Sequence, residues 1–153
     1  MTAALLSPPA APYTPPTQRR ADWQVRLNDC ITRHLPLPFV WGSQDCCLFA
    51  ADCVIAMTDE DPAADLRGAY RSRLTAHAVL KAHGGLHAIA SARLGPPVPV
   101  ASAWAGDIGL TTGGKCGDLL LCVFSGQHWL APARGGLAVV PVDPLQAWSV
   151  AHG

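Results

Sequence analysis

The stretch Phe39-Val40-Trp41-Gly42-Ser43-Gln44-Asp45-Cys46-Cys47-Leu48-Phe49-Ala50-Ala51-Asp52-Cys53-Val54-Ile55-Ala56-Met57 decides the reading of this chain. An apolar approach ends at Gly42, and Ser43-Gln44-Asp45 then supplies the side-chain acceptors that cap a helix. The following residues, Cys46 to Met57, are apolar nearly all round, with Asp52 as the one interruption. A helix with no polar face is buried in the middle of a core. An unpaired buried carboxylate is costly, so Asp52 must reach solvent or pair, and Arg67, Arg71 and Arg73 are the candidates.

Upstream, Leu35-Pro36-Leu37-Pro38 ends a first helix over Ala21–His34. Asp22 stands as its cap, and Trp23, Leu27, Cys30/Ile31 and His34 share one face. Residues 1–20 read as a separate proline-rich extended arm carrying Pro8, Pro9, Pro12, Pro15 and Pro16. It is either a loose tail or a strap for a neighbouring subunit, with Leu5, Leu6 and Tyr13 as anchors. Residues 21–153 form the single domain.

Downstream, Ala69–His83 and Leu86–Leu94 have helical patterns, stopped by Gly84-Gly85 and by Gly95-Pro96-Pro97. The period then changes. Asp107–Leu110, Asp118–Phe124, Gln127–Ala131 and Leu137–Val142 are short β-like runs separated by turn residues. Ser125-Gly126 suggests a tight hairpin, and Pro144–Trp148 a last helical turn. Helices first and an antiparallel meander after give an α+β order, with the helices packed on a small sheet.

Composition excludes several function classes. Half of the 153 residues are apolar, 14% are charged, and eleven basic residues balance eleven acidic ones. That is a globular composition with no electrostatic footprint for nucleic acid. No apolar run reaches the ~18 residues that a bilayer span needs. The first six residues lack the basic flank of a secretory signal, so synthesis is expected in the cytoplasm with reduced thiols. The six cysteines form no Cys-x-x-Cys pair, and neither a metal nor another cofactor is expected.

A cysteine in the first turn of a helix has its thiolate favoured by free N–H groups and the helix dipole. Cys46 occupies that place. It is either a nucleophile or a small buried hydrophobe. A nucleophile needs a base and a third group to orient it.

Here the pattern resembles the signature of the NlpC-type, papain-like cysteine peptidases, in which an aromatic-Gly segment leads to an Asp-Cys pair and a helix. Gly106-Asp107 resembles that family's step into its first core strand, and Asp118–Phe124 its next strand. From Trp23 to Val150, with Arg67-Gly68-x-Tyr70, Gly84-Gly85 and Ala131-Pro132 in order, the chain most resembles a branch carried among the tail genes of long-tailed phages. The resemblance implies a papain-like core with Cys46 at the nucleophile position; Trp41, Asp45 and Trp129 stand as candidate binding residues, Trp129 either in the core or lining a cleft beside His128. Active relatives carry a histidine where this chain has Lys115-Cys116-Gly117-Asp118. His128 is then the nearest candidate base, and a Cys46–Cys116 contact is conceivable.

Two functions follow from the resemblance. One is a structural part of a phage tail tip or baseplate in the virion, touching hub and distal-tail proteins through the arm. The other is a cysteine peptidase cutting peptidoglycan stem peptides during DNA entry.

Overall fold

The computed structural model describes residues 13–113 and 118–152. Leu5, Leu6, Lys115 and Cys116 therefore lie outside the described residues.

Four helices come first: α1 (Trp23–His34), α2 (Cys46–Thr58), α3 (Arg73–Ala82) and α4 (Leu86–Leu94). Five strands follow: β1 (Ile108–Gly113), β2 (Asp118–Phe124), β3 (Trp129–Ala133), β4 (Gly136–Val139) and β5 (Gln146–Trp148). They form one antiparallel sheet in the order β4-β3-β2-β1-β5. The α+β expectation holds at this level, with helices contacting the sheet.

Local chemistry sets the helix ends. The Asp45 carboxylate accepts from the backbone N–H of Leu48 at 2.9 Å and of Gly42 at 2.9 Å, which starts α2 and fixes the turn before it. That turn presses against residue 70. A Cβ on Gly42 would sit 2.3 Å from the Tyr70 carbonyl oxygen, at a φ of +85° that favours glycine. Helix α3 begins at Arg73, later than the pattern suggested. Ser72 and Thr75 form a capping box there and out-compete a helical start at Ala69. Helix α1 begins at Trp23, and Asp22 gives it no side-chain cap.

The sheet has two differently covered faces. Ile108, Leu110, Leu121, Val123 and Trp148 alternate onto the helix side and join Leu27, Leu48, Phe49, Val54 and Met57 in the main core. Phe49, Cys53 and Met57 are fully buried, so α2 is the central helix that its composition requires. Burying a side chain of this size contributes ~2–3 kcal/mol. The opposite face carries a smaller cluster of Cys122, Trp129, Ala131 and Ala147, covered by Val98, Val100 and Ala103.

Two further expectations are corrected. Pro144–Trp148 contains no helical turn. Residues 146–148 pair with β1 (Ile108↔Trp148, Gly109↔Ala147, Leu110↔Gln146), which satisfies that strand's otherwise open edge and buries Trp148 in the core. Ser125-Gly126 is not a two-residue hairpin either. Phe124 pairs with Trp129, leaving a four-residue loop in which Ser125 Oγ accepts from the backbone N–H of His128 at 3.0 Å. His128 therefore sits in the loop rather than on a strand. Among the described residues, no helix is long and apolar enough to cross a membrane.

Candidate functional site

The head of α2 packs on β2. Cys46 is half-buried there, against the backbone of Leu121. Burial pushes its thiol up to about 12, and the Asp45 charge adds to this, while the Leu121 and Cys47 backbone only partly offset it. The neighbouring thiol of Cys47 is pushed up by burial as well. Burial and the Asp45 carboxylate likewise hold the Tyr70 hydroxyl protonated. The helix start that should favour a thiolate is thus outweighed by desolvation and by the carboxylate that caps the helix.

The remaining sequence-derived site residues disperse. Trp41 is half-buried, edge-on to Phe39 at 4.7 Å and to His77 at 6.5 Å. It lies in the same turn as Asp45 and Cys46. Trp129 is buried on the opposite face of the sheet, against Phe124 at 4.8 Å and in one cluster with Cys122. Strand alternation separates it from the α2 side. His128 is exposed in the β2–β3 loop, and no hydrogen bond joins its ring to Cys46 among the described residues. Trp41, Asp45 and Cys46 thus come together, while His128 and Trp129 do not join them.

One group at this site was not expected. The Gln44 side-chain nitrogen is buried without a hydrogen-bond partner, two residues before Cys46. A glutamine in a capping segment gives no sequence signal of burial, because caps usually stand in water.

Two polar clusters lie away from the head of α2. In the first, His34 Nδ1 lies 2.7 Å from the Cys30 carbonyl oxygen and 3.8 Å from Cys30 Sγ, and its Nε2 lies 2.9 Å from Asp52 Oδ2. Arg67 Nη2 donates to the other Asp52 oxygen at 2.8 Å, so the expected partner for Asp52 is Arg67, joined by a histidine. The i, i+4 spacing of Cys30 and His34 was the available signal. In the second cluster, the fully buried Asp107 accepts from Arg19, from the backbone of Trp104 and Val150, and pairs with His152. Among the described residues, no group of three or more His, Cys, Asp or Glu side chains is placed to hold a metal ion.

Hydrogen bonds to Asp52 and then to Cys30 raise the His34 imidazole to about 10, against burial. Its folded value lies above the ordinary 6.5. The ion pair with Asp52 therefore contributes fully below pH 6.5 and drains as pH rises through about 10. Imidazole resonances of His34, followed by NMR in the folded protein, are expected to stay at their protonated positions through pH 8. A midpoint near 6.5 would contradict the pairing.

The described part of the proline arm begins at Tyr13. The Tyr13 hydroxyl donates to Asp65 of its own chain, and the Arg93 guanidinium lies over the Tyr13 ring at 4.3 Å. Arg19 Nε donates to the Val150 carbonyl at 2.8 Å, and Nη1 to that of Ala105 at 2.7 Å. Residues 13–20 thus include anchors on the body of the same chain.

Fold and site together define an α+β domain in which Asp45 caps a buried central helix and Cys46 is that helix's first residue. Residues 18–150 match the family model described as a domain of unknown function (DUF6950), and the chain belongs to that family. No curated protein matches it.

Proposed function

We propose that this chain is a structural component of the tail tip or baseplate of a long-tailed bacteriophage, in which a papain-like, NlpC-type fold with a degenerate peptidase site serves tail assembly. The observation that supports the reading is the state of Cys46. It stands at the head of the buried helix, where the resemblance puts a nucleophile, yet burial pushes its thiol up and His128 stands apart in a loop. Nucleophilic catalysis by cysteine needs a thiolate and an adjacent base, and neither is supplied here among the described residues. Neutral net charge and apolar composition suit a protein whose surface is covered inside an assembly. Hub and distal-tail proteins are the proposed neighbours, and the virion the proposed location.

One observation favours the hydrolytic alternative. The Gln44 amide nitrogen is buried without a partner two residues before Cys46, and an unpartnered amide is the kind of donor that holds an oxyanion.

A phage or prophage carrying the gene distinguishes the two. Deletion is expected to abolish infectious particles at the tail-assembly stage, and Cys46→Ala to leave the plaque titre at the wild-type level. Purified protein is expected to release no stem peptide from peptidoglycan sacculi. Normal tails in the deletion strain, or stem-peptide release that Cys46→Ala abolishes, would overturn the structural reading.

A further inference from the structure

The cluster around Cys30, His34 and Asp52 has a chemistry that the tail role does not use. Cys30 on α1 and Cys53 on α2 are both fully buried, and their sulfurs lie 4.0 Å apart across the helix pair. His34 Nδ1 sits 3.8 Å from the Cys30 sulfur. The cluster is not sealed. Its His34 side chain is 11% exposed and its Asp52 side chain 26%, so a polar line runs from solvent past Asp52 and His34 to Cys30.

We propose that Cys30 and Cys53 form a peroxide-oxidisable dithiol, closing a reversible disulfide that locks α1 to α2. A disulfide needs its sulfurs ~2.05 Å apart, so χ1 adjustment and a small approach of the two helices must close the remaining gap. The hydrogen bond with Cys53 draws the Cys30 thiol below its ordinary value and the His34 imidazole adds to this, while burial opposes both. Burial and that same hydrogen bond push Cys53 upward. Such a split assigns Cys30 as the attacking sulfur and Cys53 as the resolving one.

The chemistry balances with hydrogen peroxide as the oxidant. The Cys30 thiolate attacks one peroxide oxygen, the O–O bond breaks, and the departing hydroxide takes a proton to leave as water. The Cys53 sulfur, losing its proton, attacks the sulfur of the resulting sulfenic acid. The S–O bond breaks and a second water leaves. Two thiols and one peroxide become one disulfide and two waters.

The test treats the reduced, full-length protein with hydrogen peroxide, quenches it, and maps peptides by mass spectrometry without reductant. A linked Cys30–Cys53 peptide that dithiothreitol separates is expected as the dominant product. In Cys53→Ala, Cys30 is expected to stop at the sulfenic acid and to be trapped by dimedone. Cys53→Ser provides a second variant should the alanine protein fold poorly. Persistence of both thiols while other cysteines oxidise, or a dominant disulfide of different pairing, would overturn the proposal. So would dimedone labelling confined to another cysteine.

Discussion

Asp107→Ala is expected to be among the most destabilising single changes in the chain. The Asp107 carboxylate is fully buried and accepts from Arg19 Nη2 at 3.0 Å, Trp104 N at 2.8 Å and Val150 N at 3.0 Å. His152 Nε2 lies 2.7 Å from one of its oxygens and 2.8 Å from the other. It ties together the segment before α1, the entry to β1 and the end of the chain. Arg19 makes the loss acute. Its side chain is 6% exposed, burial lowers its pKa, and Asp107 is the charge that opposes this. Removing one member of a buried ion pair costs about 3–5 kcal/mol, because the other charge stays desolvated without its partner. The midpoint of urea unfolding should fall accordingly. A double variant, Arg19→Met with Asp107→Leu, should recover part of the loss by replacing the pair with apolar contact. A loss under about 1 kcal/mol for Asp107→Ala would show that the hub is not buried as described.

That hub also marks where sequence reasoning stops. Gly106-Asp107 was legible as the step into a strand, but the partners of Asp107 lie at residues 19, 104, 150 and 152, and no local pattern announces them. The same limit governs β5. Pro144–Trp148 alone resembles a turn, and only the open edge of β1 makes residues 146–148 a strand. Helix α2 was legible to within a residue, since an all-apolar run behind Ser-Gln-Asp has one stable solution. Helix α4 was legible from the glycines that bound it, and strand β2 as a short apolar run between turn residues. The candidate site was half legible. Trp41, Asp45 and Cys46 belong to one contiguous turn, so spacing alone places them together. His128 and Trp129 had to be placed by the hairpin. The four-residue loop that Ser125 organises moved His128 off the strand and left Trp129 on the far face.

The second large effect concerns Cys46 itself. Burial and the Asp45 charge hold its thiol at about 12, three units above the ordinary 9.0. The thiolate fraction at pH 7 is then about 1,000-fold below that of an unperturbed cysteine, and alkylation, which proceeds through the thiolate, should slow to match. Desolvation at the packed head of α2 is the main cause, and the Asp45 carboxylate that caps the helix adds to it.

The most direct test of an inactive cysteine at this position is its rate of alkylation by iodoacetamide across pH, located by mass spectrometry and compared with the same peptide in the denatured chain. The account predicts a rate at pH 7 suppressed by about three orders of magnitude in the folded protein, rising only under strongly alkaline conditions and indifferent to His128→Ala. Rapid modification of Cys46 below pH 7, lost on His128→Ala, would contradict it and restore the thiolate–imidazole pair of a working peptidase.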